Sequence, residues 1–427
     1  MRMSRRHPNK RVMIRSGVAT LLALLAAVAG CVPTGWPTPS ASLPSFAATP
    51  TAPSPTTTAP SPLPVEVPAP TPAPTFAPWP DAGNSQVLYA RQSGIWLLSL
   101  ALGQARLLAA DLQITNSLEQ GDPWVLSPDG RYLAFVRNAE SQPALLTVVE
   151  ISSGESHVVD RSSGRIDALS WSHDGSRLAF LVNQRHERSG ELLEQNLRLY
   201  DVASRHQATL YRRIFRVGEV ATALWLRAWV PGDATLYVVL AVDRSNDPGT
   251  LHALDVRGGD PRPVSGEYLL VGGQAVHAST SQVLVRRRGD LAGGASTPSP
   301  LYVAATSPDG SLLGVRRITP EDWFVGAVAW SPEGRRVVAE QLEALRHGTF
   351  GVHLWLLDID GSAPRQLTSD ASYREELPIW LPSGLAIMFN RWYLTPPAPA
   401  GLWALPLNGA EPRLVDGVGA NPQVAVR

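Results

Sequence analysis

Short apolar runs separated by tight-turn residues, a tryptophan hairpin that recurs along the chain, and a near absence of helical periodicity predict an all-β fold. The architecture they point to is a closed β-propeller of four-stranded blades. The runs are rich in Val, Leu, Tyr and Trp, as in Val87–Ala90, Tyr132–Val136, Leu178–Val182 and Leu236–Val242. One stretch, Glu191–Leu199, reads instead as a short helix.

The chain opens with a basic segment and an apolar run from Val18 to Val28, closed by Ala29-Gly30-Cys31. A basic start, a short apolar centre and small residues at the boundary make a secretory signal over 1–30. The run is about half the ~20 residues that a spanning helix needs. Val28-Ala29-Gly30-Cys31 resembles the lipobox of bacterial lipoproteins. That resemblance implies cleavage between Gly30 and Cys31, lipid chains on Cys31, and a place on the outer face of the cytoplasmic membrane or in the cell envelope. Ser4-Arg5-Arg6 with Lys10 is similar to the twin-arginine export motif, but Pro8 and Asn9 stand where that family prefers apolar residues. An ordinary basic leader is the preferred reading.

The whole chain is neutral, with 37 Lys+Arg against 37 Asp+Glu. Six of those basic residues precede Cys31 and no acidic one does, so the exported chain carries a net charge of −6. That balance argues against nucleic acid as a partner. A single cysteine excludes an intramolecular disulfide scaffold and multi-cysteine metal sites.

Residues 31–84 form a Pro/Thr/Ser-rich tether. Sixteen of the 49 residues from 32 to 80 are proline, and Glu66 is the only charge among them. Such a composition cannot bury a core and stays extended. At ~3.1 Å per residue it reaches at most about 170 Å, enough to hold a domain away from a membrane.

The propeller begins at residue 85. Trp124-Val-Leu-Ser-Pro-Asp-Gly is followed by Trp171-Ser-His-Asp-Gly, Trp229-Val-Pro-Gly-Asp, Trp330-Ser-Pro-Glu-Gly and Trp380-Leu-Pro-Ser-Gly. Each copy is a strand, a turn and a second strand, with Asp129-Gly130, Asp174-Gly175 and Glu333-Gly334 at the bends. Asp-Gly suits a two-residue hairpin, since Gly tolerates positive φ and Asp bonds the local backbone. A second turn follows each copy, as at Ile151–Gly154 and Leu407–Gly409, so a unit has four strands, A to D. Ser307–Gly310 takes this second place despite its first-class letters. The 343 residues after Asn84 divide into seven units of about 49, with six or eight as the alternatives. The first unit has only three strands, and Pro422–Val426 supplies its missing innermost strand, closing the ring with strands from both ends.

These units resemble the WD-repeat-like propeller repeat of TolB proteins and of the amino-terminal propellers of prolyl-oligopeptidase-type peptidases. The residues that carry the resemblance are Trp330-Ser-Pro-Glu-Gly, Trp171-Ser-His-Asp-Gly with Leu178-Ala-Phe180, and Asp358-Ile-Asp-Gly361 leading to Arg365-Gln-Leu-Thr368. It implies the fold. The extra α/β domain of TolB has no room in the sequence, and no G-x-S-x-G elbow for a peptidase is found.

No phosphate loop, H-E-x-x-H or EF-hand is present. Asp358-Ile-Asp360-Gly361 imitates the start of a calcium loop, but Ser369 stands where the bidentate acid belongs. The histidines show no metal-ligand spacing, so no metal and no cofactor is expected. Trp171, Trp229, Trp330 and Trp380 share one slot near the end of strand A. Blade-core wedges are the preferred reading, and an aromatic platform for sugar or peptide is the alternative. Long insertions fall between strands B and C: Asn183–Asn196, Asp243–Thr250, Arg286–Pro300, Glu340–Gly351 and Arg391–Gly401. Insertions on one face of a repeat array mark a binding face. D–A loops reach the channel mouth there, bringing Glu119, Asp122, Glu321, Asp322, Glu375 and Glu376.

The expected function is a lipid-anchored, monomeric binding or scaffolding module for a protein, peptide or glycan. The alternative is a hydrolase or lyase using Glu321, Asp322, Glu375 and Glu376, as paired carboxylates could serve acid–base chemistry.

Overall fold

The computed structural model describes residues 78–79 and 85–424, apart from 92–93, 111, 113–122, 139–142, 293–296, 345–349, 395–400 and 418. All of these belong to one compact unit, Ala73–Arg427. Gly30, Cys31, the signal and most of the tether lie outside the described residues, as do Glu119 and Asp122.

The strands run in chain order as β1 (Gln86–Arg91), β2 (Gly94–Ser99) and β3 (Gln104–Ala109), then β4 (Trp124–Leu126), β5 (Tyr132–Arg137), β6 (Ala144–Glu150) and β7 (Ser156–Ser162). The next sheet holds β8 (Arg165–Trp171), β9 (Arg177–Arg185), β10 (Leu192–Asp201) and β11 (Gln207–Ile214). It is followed by β12 (Thr222–Trp229), β13 (Thr235–Val242), β14 (Thr250–Asp255) and β15 (Arg262–Ser265). A five-stranded sheet contains β16 (Tyr268–Leu270), β17 (Val276–His277), β18 (Gln282–Arg287), β19 (Tyr302–Thr306) and β20 (Leu312–Arg317). An eight-stranded sheet comprises β21 (Phe324–Trp330), β22 (Arg336–Ala344), β23 (Phe350–Asp358) and β24 (Arg365–Gln366), then β25 (Tyr373–Trp380), β26 (Ala386–Tyr393), β27 (Gly401–Pro406) and β28 (Arg413–Asp416). Its two halves are each antiparallel and meet only at the parallel pair Val352–Arg374. The last strand is β29 (Gly419–Val424).

β29 pairs antiparallel with β1, Val87 opposite Val424 and Leu88 opposite Gln423. The sheet of the first strands is thus completed from the other end of the chain, in the order β29-β1-β2-β3. The closing strand begins at Gly419, three residues earlier than the sequence indicates. Closure gives β1 a partner on both edges and removes a template for edge-to-edge association.

Two local expectations are corrected. Glu191–Leu199 is not helical; it lies mainly in β10, paired with β9 and β11. The only helix among the described residues is the single turn α1 (Arg288–Ala292). The Asp-Gly bends are not two-residue hairpins either. Ser127 N–H reaches the Tyr132 carbonyl across the loop, and Gly130 N–H bonds the Ser127 carbonyl within it. Positive φ falls on Gly130 and not on Asp129. A type I′ hairpin needs positive φ at both central residues, so the bend is a longer, type I-like one ending in a left-handed residue. Asp129 contributes by accepting from the Ser127 hydroxyl and the Arg131 N–H.

The apolar core lies between neighbouring sheets. One cluster joins Ala179, Leu181 and Leu197 to Leu224, Trp229 and Leu236, from the β8–β11 and β12–β15 sheets. The strands read as near-continuous apolar runs because both faces are covered.

Candidate functional site

The innermost strands of all the sheets converge on a cavity of about 530 Å³. Val125 of β4, Trp171 of β8, Ala228 of β12, His277 of β17, Val328 of β21 and Ile379 of β25 all line it, and Gln423 of β29 completes the circle. The bend residues Pro128, His173, Pro332 and Pro382 also line it, which places it at the A–B end of the strands. Apolar walls with a few placed polar groups are the usual make-up of a small-ligand site, and the volume lies in the range of roughly 300–1,000 Å³.

The recurring tryptophans are buried and hydrogen-bonded across blade boundaries. Nε1–H of Trp171 donates to the Val125 carbonyl at 3.1 Å, and that of Trp229 to Ser170 at 3.0 Å. Trp330 and Trp380 reach Ala275 and Ala329 at 3.2 and 3.1 Å. Each indole spans from its own innermost strand to the preceding one, so its ring fills the wedge between sheets and forms part of the cavity wall.

A second set of links holds the same strands at other points, and the sequence reading missed it. The Asn138 amide donates to the Ile166 carbonyl and accepts from the Ile166 N–H. Gln195 does the same for Leu224, and the Gln423 amide joins Trp124 and Leu126. Glu340 accepts from Ala327 N–H at 2.8 Å and Leu377 N–H at 2.7 Å. Burial pushes the Glu340 carboxyl above its usual range, and nearby Glu376 adds to this while the two N–H groups oppose it.

The four proposed carboxylates occupy different settings. Glu321 is exposed and pairs with Arg317 at 3.0 Å, and Asp322 is exposed beside it. Tyr373-Arg-Glu-Glu376 is no loop but the start of β25. Glu375 is fully buried, taking Arg391 on one oxygen and His353 and Thr368 on the other at 3.0–3.1 Å. Glu376 pairs with Arg374. None of the four lines the cavity. Asp360 accepts from the Ser362 N–H and hydroxyl, an ordinary turn arrangement, and no metal-ligand cluster is found among the described residues.

Two other titratable groups belong to the cavity. His277 is buried there, its Nε2 facing the Pro332 carbonyl at 3.3 Å and its Nδ1 taken by Thr280. Burial pulls the His277 ring below its usual value, and the His173 ring acts in the same direction. His173 donates Nδ1–H to Asp233 at 2.6 Å. The sequence signal for His173 was its place in the repeat, where Pro128, Pro231, Pro332 and Pro382 stand in the other copies. The B–C connections emerge at the opposite end of the strands. Asn183–Asn196 is mostly the paired ends of β9 and β10, and 345–349 and 395–400 lie outside the described residues.

Comparisons with protein-family models and with curated proteins give no match. Solved structures do match. A prolyl endopeptidase structure aligns with TM-score 0.55 at 14% identity, over 80% of this chain and 50% of that one. The propeller domain of the Trilobed protease from Pyrococcus furiosus aligns with TM-score 0.52 at 14% identity, over 78% and 93%. An oligogalacturonate lyase from Vibrio parahaemolyticus aligns with TM-score 0.51 at 13% identity, over 75% and 88%. TolB from Acinetobacter baumannii is a weaker match, with TM-score 0.43 at 13% identity, over 80% and 66%. The chain spans about half the length of the prolyl endopeptidase it matches. At these identities the likeness shows the fold, and the fold is a β-propeller of four-stranded antiparallel blades.

Proposed function

We propose that this chain is an exported, seven-bladed binding propeller, held at the cell envelope by lipid on Cys31, that takes a ligand in its central cavity. The observation that carries this reading is the cavity itself: about 530 Å³, built from every innermost strand, with apolar walls and no carboxylate among its described lining residues. The binding site follows the cavity rather than the B–C rim that the sequence favours. A protein, peptide or glycan would enter between the A–B bends.

The test is calorimetric titration of the Ala73–Arg427 unit, closed by its own β1–β29 pair, against peptide and oligosaccharide panels. Saturable binding should be lost when Ala228→Phe and Ala327→Phe fill the cavity, and kept when the B–C hairpins are shortened. The reverse pattern would move the site to the rim. Turnover of any panel member, abolished by Glu376→Gln, would favour the hydrolase or lyase reading instead. Anchoring is tested separately: Cys31→Ala should move the exported chain from the detergent phase to the aqueous phase.

A further inference from the structure

Five A–B bends close on a left-handed residue, and in the Val230–Asp233 bend the residue before it, Gly232, is at positive φ as well (φ 94°). In four of the bends the closing residue is glycine: Gly130, Gly175, Gly334 and Gly384, with φ between 68° and 72°. In the fifth it is Asp233, with φ 55°. An L-residue with a side chain pays roughly 1 kcal/mol or more to sit there, although Asp tolerates it better than most. The same repeat departs once more, at His173, where the other four bends have proline. Both exceptions occur in adjacent blades and they bond to each other.

Asp233 reaches across the blade boundary and bonds the tip of the His173 bend at three points. Its Oδ1 accepts from the His173 N–H at 3.0 Å and from Nδ1 at 2.6 Å, and its Oδ2 accepts from the Asp174 N–H at 3.1 Å. Burial alone would raise the Asp233 carboxyl, but the His173 ring and these N–H groups outweigh it and hold the group below the usual carboxylate range. A carboxylate can only accept, so Nδ1 must carry the proton. The neutral ring therefore has its lone pair on Nε2, and that nitrogen has no hydrogen-bond partner among the described residues. The other cavity imidazole, His277, has both nitrogens occupied.

We propose that His173, oriented by Asp233, is the ligand-recognition residue of the central cavity, its Nε2 accepting from a hydroxyl on an otherwise apolar ligand. The assignment rests on the cavity being a binding site. It adds the ligand's chemistry: apolar bulk against the walls, and one donor directed at a single pre-oriented acceptor. A site built to bond a hydroxyl rejects the analogue lacking it, because its own polar group is then left unpaired.

The test compares 2-naphthol with 2-methylnaphthalene, which has nearly the same shape and no donor, on the Ala73–Arg427 unit. 2-Naphthol is expected to bind about tenfold more tightly, the equivalent of one buried hydrogen bond. His173→Pro, which restores the residue of the other bends, should erase that preference and leave 2-methylnaphthalene unchanged. If His173→Pro also weakens 2-methylnaphthalene, the double variant His173→Pro/Asp233→Gly, matching the other bends at both positions, decides the matter. It must recover 2-methylnaphthalene binding without the preference. Equal binding of both probes, or a preference that survives the substitution, overturns the role of His173 and leaves the cavity reading standing. Binding of neither probe overturns the apolar, hydroxyl-bearing ligand, and the cavity reading then stands or falls with the peptide and oligosaccharide titrations.

Discussion

Trp229 donates its indole N–H to the main-chain carbonyl of Ser170 at 3.0 Å, tying two blades together at their innermost strands. The ring is 1% exposed and also receives the Arg177 guanidinium at 5.1 Å. Trp229→Phe keeps most of the apolar volume but leaves the Ser170 carbonyl unpaired, so it should cost about 1–3 kcal/mol. Trp229→Ala adds a cavity and should cost about 3–5 kcal/mol. Denaturant midpoints of the two variants separate the hydrogen bond from the packing. Equal losses would show that the bond contributes little.

Those tryptophans were legible because they repeat in register, and a repeated strand-turn-strand unit cannot bury its faces alone. The links made by Asn138, Gln195, Glu340 and Gln423 were not legible. Asn138 just follows β5 and the others lie on β10, β22 and β29 at different positions, so no period exposes them. Gln195 explains the misread helix as well. It is buried in β10 with its amide spent on Leu224 and Asn183, and Asn196 beside it is buried too. Buried polar residues break the apolar alternation by which a strand is recognised. His173 and Asp233 show the converse case, where exceptions to the repeat carried the information.

Glu375 is expected to act as a structural anchor. With no solvent exposure and Arg391, His353 and Thr368 around it, its removal strands buried partners. Glu375→Ala should therefore cost about 3–5 kcal/mol, measured by denaturation. Glu321→Ala, at an exposed pair with Arg317, should leave the midpoint unchanged. A stable Glu375→Ala protein would reopen this carboxylate to a chemical role.

Stability should fall with rising pH through Glu340. The folded chain holds this proton more tightly than the unfolded chain, for which the ordinary value is 4.5. The group's contribution is therefore fully favourable below that value and is lost as pH rises through the raised folded one. Glu340→Gln removes the titration and should flatten the decline above about pH 4.5, read from midpoints at a series of pH values. An unchanged slope would place the dependence on another group.

Ring closure gives the last prediction. Gln423 of β29 accepts from the Leu126 N–H at 2.8 Å and donates to the Trp124 carbonyl at 3.2 Å, so one side chain joins the closing strand to the next blade. Gln423→Ala strands a donor and an acceptor in a partly buried place and should cost about 1–3 kcal/mol without changing the oligomeric state. Ending the chain at Asp416 is a different lesion. It removes β29 entirely, leaving β1 with an open edge of unpaired N–H and carbonyl groups beside its buried residues Val87, Leu88 and Tyr89. An exposed apolar edge pairs with another chain. The truncated unit should therefore elute from size exclusion as dimers and larger species, and Gln423→Ala should elute as the intact unit does. Monomeric behaviour of the truncated unit would mean that closure contributes stability but does not protect the edge.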